Sequence, residues 1–249
     1  MVMAVQEMTQ ENIIKRIFKT VYSFLSILVF FMLILTDILL ASIFHNKATK
    51  QLLSVVLNSG VSVEEVTRLI QEGANVNAKG MGRSTPLMFA ASCNKNPDVL
   101  RLLVEKGANV NAIDRRRMAP LNCAAANSNI EILRVLVENG ANVNSANMRG
   151  MTPLIEAAFI NPKPDFLQVL LKHGANVNAV DKDGKTALIS AAARNPNPVV
   201  LQTLLDSGAD VAVKDKEGKT ALDYAEGNEN LKGTDALKLL REKTLSGTK

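Results

Sequence analysis

The chain has 249 residues, of which 47% are hydrophobic and 21% charged; this is the composition of a folded protein and excludes a disordered one. Trp is absent and aromatics amount to 4%, so the core must be aliphatic, which favours small, repetitive helix packing over an aromatic-centred pocket. A net charge of +5 and an isoelectric point near 9.2 are too mild to specify a partner. Two cysteines, Cys93 and Cys123, exclude a disulfide-rich scaffold, and with only His45 and His173 a metal site or a catalytic triad lacks its usual ligands and bases.

The first element in chain order differs in kind from everything after it. Residues 1–20 form a basic flank carrying Lys15, Arg16 and Lys19, and residues 21–44 read VYSFLSILVFFMLILTDILLASIF. Sixteen of these are Val, Ile, Leu or Phe, and Asp37 is the one charge. A transmembrane helix needs about 20 apolar residues. At about 0.3–0.6 kcal/mol each, these outweigh a penalty of about 3 kcal/mol for Asp37. The run is therefore expected to be an uncleaved signal anchor. A cleaved signal peptide is the alternative, opposed by the length of the run, since a secretory apolar core has about 7–15 residues. Three cations before the span against Lys47 and Lys50 after it put the N-terminus in the cytoplasm and the bulk of the chain outside, periplasmic in a bacterium. Cleavage would instead make the remainder a secreted protein.

From residue 48 the chain repeats itself. GANVNA stands at 73–78 and 107–112, GANVNS at 140–145, GANVNA at 174–179 and GADVAV at 208–213, at intervals of 34, 33, 34 and 34. A second marker keeps the same phase: STPLMFAA at 84–91, MAPLNCAA at 118–125, MTPLIEAA at 151–158, KTALISAA at 185–192 and KTALDYAE at 219–226. Thr85, Thr152, Thr186 and Thr220 are placed to cap a first helix, with Pro86, Pro120 and Pro153 at its first position. Gly73, Gly107, Gly140, Gly174 and Gly208 are placed to end a second helix. Leu102-Leu103, Leu170-Leu171 and Leu204-Leu205 are expected in a shared core, with Val110, Val143 and Val177 closing the turn that follows.

These motifs resemble the ankyrin repeats, whose pattern is a Gly-Thr-Pro-Leu-His helix start, Ala-Ala, a Leu-Leu second helix and Gly-Ala-Asp-Val-Asn. The resemblance covers residues 48–249 and implies an all-α solenoid of stacked helix pairs with projecting β-hairpin fingers, a role in binding other proteins, and no catalysis. Units fall at about 51–78, 79–112, 113–145, 146–179, 180–213 and 214–245. The family's His is missing throughout: Met88, Asn122, Ile155, Ile189 and Asp223 occupy its column, so the capping threonines need other partners. NKNP at 94–97, NPKP at 161–164 and NPNP at 195–198 replace its Gly-His turn, and these loops are expected to account for the 34-residue spacing. Residues 51–72 and 234–243 are expected to be end caps, the latter with Lys238, Arg241, Glu242 and Lys243 facing outward.

Function must come from what varies between units, and the finger segments vary most. Their net charges are +2 for 79–84, +2 for 113–118, +1 for 146–151, 0 for 180–185 and +1 for 214–219. That makes +6 in the fingers against +4 for residues 48–249 as a whole. Four methionines sit among these charges and are expected to be exposed, adaptable contacts. The candidate partner-binding residues are Met81, Arg83, Arg115, Arg116, Arg117, Met118, Met148, Arg149 and Met151, set against an acidic protein partner. Nucleic acid or another anionic surface is the alternative, although the fingers lack interleaved aromatics. No catalytic, metal or cofactor motif appears. Arg117 occupies the column of Gly150, Gly184 and Gly218, a turn position that favours positive φ, where an arginine costs on the order of 1 kcal/mol.

Overall fold

The computed structural model describes residues 47–246 other than Ser128. The basic flank at 1–20 and the span expected over 21–44 lie outside the described residues. Within them no helix is long and apolar enough to cross a membrane. The described chain is a series of helix pairs: α1 (Lys47–Val55) with α2 (Val63–Gln71), α3 (Pro86–Cys93) with α4 (Pro97–Glu105), and α5 (Pro120–Ala124) with α6 (Ile130–Glu138). Then follow α7 (Pro153–Ile160) with α8 (Pro164–Lys172), α9 (Ala187–Arg194) with α10 (Pro198–Asp206), and α11 (Ala221–Ala225) with α12 (Asp235–Ser246). First helices pack on first helices of the neighbouring units and second helices on second helices. The aliphatic core lies between the two layers, with Leu103, Leu136, Leu170 and Leu204 fully buried along it. The one large aromatic among the fully buried side chains is Phe166.

Local chemistry sets these elements. The hydroxyls of Thr85, Thr152, Thr186 and Thr220 accept from the N–H three residues on, at 3.4, 3.3, 3.2 and 3.3 Å, and so cap their helices without the histidine. Ala119 lacks such a group, and the Asn122 amide oxygen accepts from its N–H instead. At the other end of each unit the chain turns through a glycine such as Gly107, at φ 85°; its N–H donates to Val104 O and that of Ala108 to Leu103 O. Lys238, Arg241, Glu242 and Lys243 of α12 are exposed, as expected of an end cap, and the first described helix begins at Lys47, ahead of the expected 51–72.

Between the two helices of every unit after the first stands a buried asparagine: Asn94, Asn127, Asn161, Asn195 and Asn228. Each side-chain amide donates to carbonyls of the preceding unit. Asn127 reaches Ala91 O and Asn94 O, Asn161 reaches Ala125 O and Asn127 O, and Asn195 reaches Ala158 O and Asn161 O, at 2.8 to 3.3 Å. Asn94 donates to Asn58 O and Asn228 to Ala192 O. The same side chain's oxygen accepts from the N–H two residues on, which shapes the turn into the second helix.

Two expectations need correction. The asparagine-proline loops do not set the repeat length, because NSNI at 127–130 is as long as the others. The shorter unit loses its residue in α5, which has five residues where α3, α7 and α9 have eight. The prolines Pro97, Pro164 and Pro198 instead open the second helices. The fingers, second, are not β-hairpins: no strand occurs among the described residues. Each is a tight turn closed within five residues by backbone bonds, in finger 3 Asn147 N–H to Met151 O and Gly150 N–H to Asn147 O.

Asn161→Ala is expected to lower stability by about 2–4 kcal/mol in urea unfolding, because it strands two buried carbonyls as well as a turn N–H. A loss within experimental error would show that the asparagine row is not structural.

Candidate interaction surface

The finger tips are organised by one side chain each. The Oδ1 atoms of Asp114, Asn147, Asp181 and Asp215 accept from the N–H groups two and four residues on, at 2.7 to 3.1 Å. Finger 1 has Gly80 in that place, and Met81–Arg83 there forms a single 3-10 turn. Neighbouring tips are tied backbone to backbone: Arg115 N–H to Gly82 O, Met148 N–H to Arg116 O, Lys182 N–H to Arg149 O and Lys216 N–H to Asp183 O, at 2.8 to 2.9 Å. The row of tips is therefore fixed.

Arg83 and Arg117 adopt φ of 66° and 58° and are the only non-glycine residues at positive φ among those described. The turn does not shift to accommodate Arg117. Its N–H donates to Asp114 O at 3.1 Å, as Gly150 N–H does to Asn147 O at 2.9 Å. A left-handed conformation brings Cβ close to the carbonyl oxygen, so both arginines hold the turn against their own preference.

Arg83, Arg115, Arg116, Arg117 and Arg149 are all exposed, and the structure brings them together on three adjacent tips. The methionines divide. Met148 is 52% exposed, Met81 and Met118 are half-buried, and Met151 is 5% exposed and part of the core. This corrects the expectation that all four are exposed: Met151 directly precedes the capping Thr152, where the chain has already turned back into the stack, and it has no surface to offer a partner. Asp114, the one acid in these three fingers, is also buried, with its Oδ2 3.7 Å from Arg116 Nε.

Fingers 4 and 5 are wired differently. The Tyr224 hydroxyl donates to Asp215 Oδ2 at 2.7 Å, and Lys185 Nζ lies 3.9 Å from the same oxygen. Lys185 and Lys219 sit 4.8 and 5.4 Å from the centre of the Tyr224 ring, and Lys219 also pairs with Glu217 at 3.0 Å. Burial opposes ionisation of Asp215, but the Tyr224 hydroxyl, the N–H groups of Lys219 and Glu217, and the Lys185 charge together hold its carboxyl below the usual range. Lys185 and Lys219 are thus engaged by side chains of the protein itself, Lys185 across from finger 4 to finger 5 and Tyr224.

One first-helix column lies beside the finger bases: Phe89, Cys123, Glu156, Ser190 and Tyr224. Burial, followed by the charge of Asp114, pushes the Cys123 thiol up to about 12, so it carries no thiolate chemistry near neutral pH. Glu156 accepts from the Asn147 amide at 2.7 Å. Burial raises its pKa, against the lowering pull of Arg149, Arg116 and that hydrogen bond. Neither Glu156 nor Tyr224 stood out in the sequence; their signal is a change of chemistry from unit to unit within a column flanked by constant residues. Among the described residues no three His, Cys, Asp or Glu side chains converge as metal ligands would.

Three substitutions test these geometries. Arg117→Gly relieves the turn and is expected to raise stability by about 0.5–1 kcal/mol by thermal unfolding. Gly150→Ala should do the opposite, since a Cβ there would stand 2.8 Å from Lys182 N. For Glu156, a folded pKa above the unfolded value makes its contribution to stability complete at low pH and lost as pH rises through the folded pKa. Glu156→Gln keeps an acceptor for Asn147 and is therefore expected to be more stable than the natural chain at neutral pH. The difference should close on acidification below the carboxylate range, and a gain that persists at low pH would contradict the assignment.

A family model described as ankyrin repeats, in three copies, matches residues 35–114, 52–147, 112–181 and 154–247. No curated protein matches the chain. With stacked helix pairs, glycine-ended second helices and a family match extending over residues 35–247, the chain belongs to the ankyrin-repeat family.

Proposed function

We propose that the protein is a membrane-tethered binding scaffold that holds an acidic protein partner on the basic tips of fingers 1–3 and the adjoining face of the first helices. Ankyrin repeats generally mediate protein–protein interaction, and the apolar run at 21–44 supports the tether, with the repeats outside the cytoplasm. The observation that carries the choice of surface is the pair of arginines at positive φ. A residue kept against its backbone preference in a column otherwise filled by glycine points to a use for its side chain. Supporting it, the exposed side chains of the three tips include five arginines and no acid. In the neighbouring column the half-buried Phe89, Cys123, Glu156 and Tyr224 differ in chemistry from unit to unit, as selection of one partner requires.

Charge reversal of Arg115, Arg116 and Arg117 to Glu is expected to abolish recovery of the partner from detergent-solubilised membranes while leaving helical circular dichroism unchanged. Undiminished recovery would sink the proposal. Binding of duplex or single-stranded nucleic acid that weakens steeply with salt would replace the protein partner with the alternative.

A further inference from the structure

The finger cations divide by residue type as well as by position. Fingers 1–3 carry Arg83, Arg115, Arg116, Arg117 and Arg149 with one lysine, Lys79; fingers 4 and 5 carry Lys182, Lys185, Lys214, Lys216 and Lys219 and no arginine. Bulk charge does not call for such a division, because an ammonium supplies the same charge. A guanidinium differs in being a planar fork that offers two parallel N–H groups to the two oxygens of one carboxylate, and in giving up water more readily. Lys185 and Lys219, moreover, are committed to Tyr224, Asp215 and Glu217.

We propose that the tips of fingers 1–3 form a guanidinium grid that recognises an extended, carboxylate-rich segment of the partner protein, its acidic side chains alternating with apolar ones. This rests on the scaffold proposal above and names what the site takes. The grid reads Met81-Gly82-Arg83, Arg115-Arg116-Arg117 and Met148-Arg149-Gly150, in rows joined by Arg115 N–H to Gly82 O and Met148 N–H to Arg116 O, both at 2.8 Å. Down its leading column a cation stands between two thioethers, Met81 and Met148. Down the middle column Arg116 follows into Arg149, and down the last Arg83 follows into Arg117. Cations spread one tip after another suit successive single carboxylates along a chain. A dianionic phosphate would instead call for cations converging on one point.

Two of these arginines already lie near carboxylates of the protein. Asp114 Oδ2 lies 3.7 Å from Arg116 Nε, and the Glu156 carboxylate lies in the field of both Arg149 and Arg116.

The test is fluorescence anisotropy of a labelled synthetic peptide alternating Glu with Leu and Ser, titrated with the full chain at fixed ionic strength. Replacing Arg115, Arg116, Arg117 and Arg149 together by Lys keeps the charge and is expected to weaken binding by about tenfold or more. Should that variant fold poorly by circular dichroism, Arg116→Lys with Arg149→Lys avoids the positive-φ position and is expected to weaken binding in the same direction. Equal affinity of the lysine variants overturns guanidinium recognition, and leaves the scaffold proposal, which needs only charge, to the charge-reversal experiment. Absence of peptide binding by the unaltered chain overturns the inference. So does tighter binding of the same peptide with phosphoserine in place of Glu, or displacement by inorganic phosphate at matched ionic strength.

Discussion

The structure depends on how backbone carbonyls are satisfied where one unit meets the next. A buried carbonyl without a donor costs on the order of 1–3 kcal/mol, and each unit leaves such groups at the end of its first helix. The asparagine of the following unit answers them, from Asn94 on Asn58 O to Asn228 on Ala192 O. Since the donor always sits one unit further on, no helix pair is complete alone, and stability accumulates by contact between neighbours. A second asparagine ladder runs at the finger bases. Asn77, Asn111 and Asn144 donate to Gly107 O, Gly140 O and Gly174 O, and their oxygens accept from Asn109, Asn142 and Asn176 N–H. It stops at Ala212, which fills the next place in the column of Asn77, Asn111, Asn144 and Asn178.

With the stack held by these columns, the tips and the column beside their bases can vary without loss of fold. Two features of that region run against folding. Arg83 and Arg117 hold a turn that glycine would hold more easily, and Glu156 keeps a carboxylate where burial disfavours its charge. Both lie along fingers 1–3, and both place charge at the same edge. Fingers 4 and 5 have glycine at Gly184 and Gly218, and their buried carboxylate, Asp215, is held below the usual range by Tyr224, backbone N–H groups and Lys185. The contrast lies within a single chain, so it does not arise from the repeat architecture itself.

Much of this was legible in the sequence because repeats align with themselves. The period, the capping threonines, the glycine helix ends and the positive φ at Arg117 all follow from columns of residues with known backbone preferences. Asn94, Asn127, Asn161, Asn195 and Asn228 were visible only as parts of loops, because a side chain's bond to a carbonyl some 34 residues away leaves no local pattern. Their signal was recurrence: an asparagine in phase in every unit after the first, whether or not proline followed. Met151 misled because exposure at a finger's edge is decided by where the chain turns inward, and composition does not reveal that. The fingers' lack of strands has the same origin, since tips that close within five residues leave no room for a strand whatever their sequence.

The central claim is that partner contact occurs at the tips and not on the outer helices, and site-specific photocrosslinking tests it most directly. A photoreactive residue at Met148, on the third tip, is compared with one at Gln168, exposed on α8, each in the full chain in native membranes. The account predicts a discrete adduct from position 148 that a glutamate-rich peptide competes away, and none from position 168. An adduct from 168 with none from 148 would contradict it.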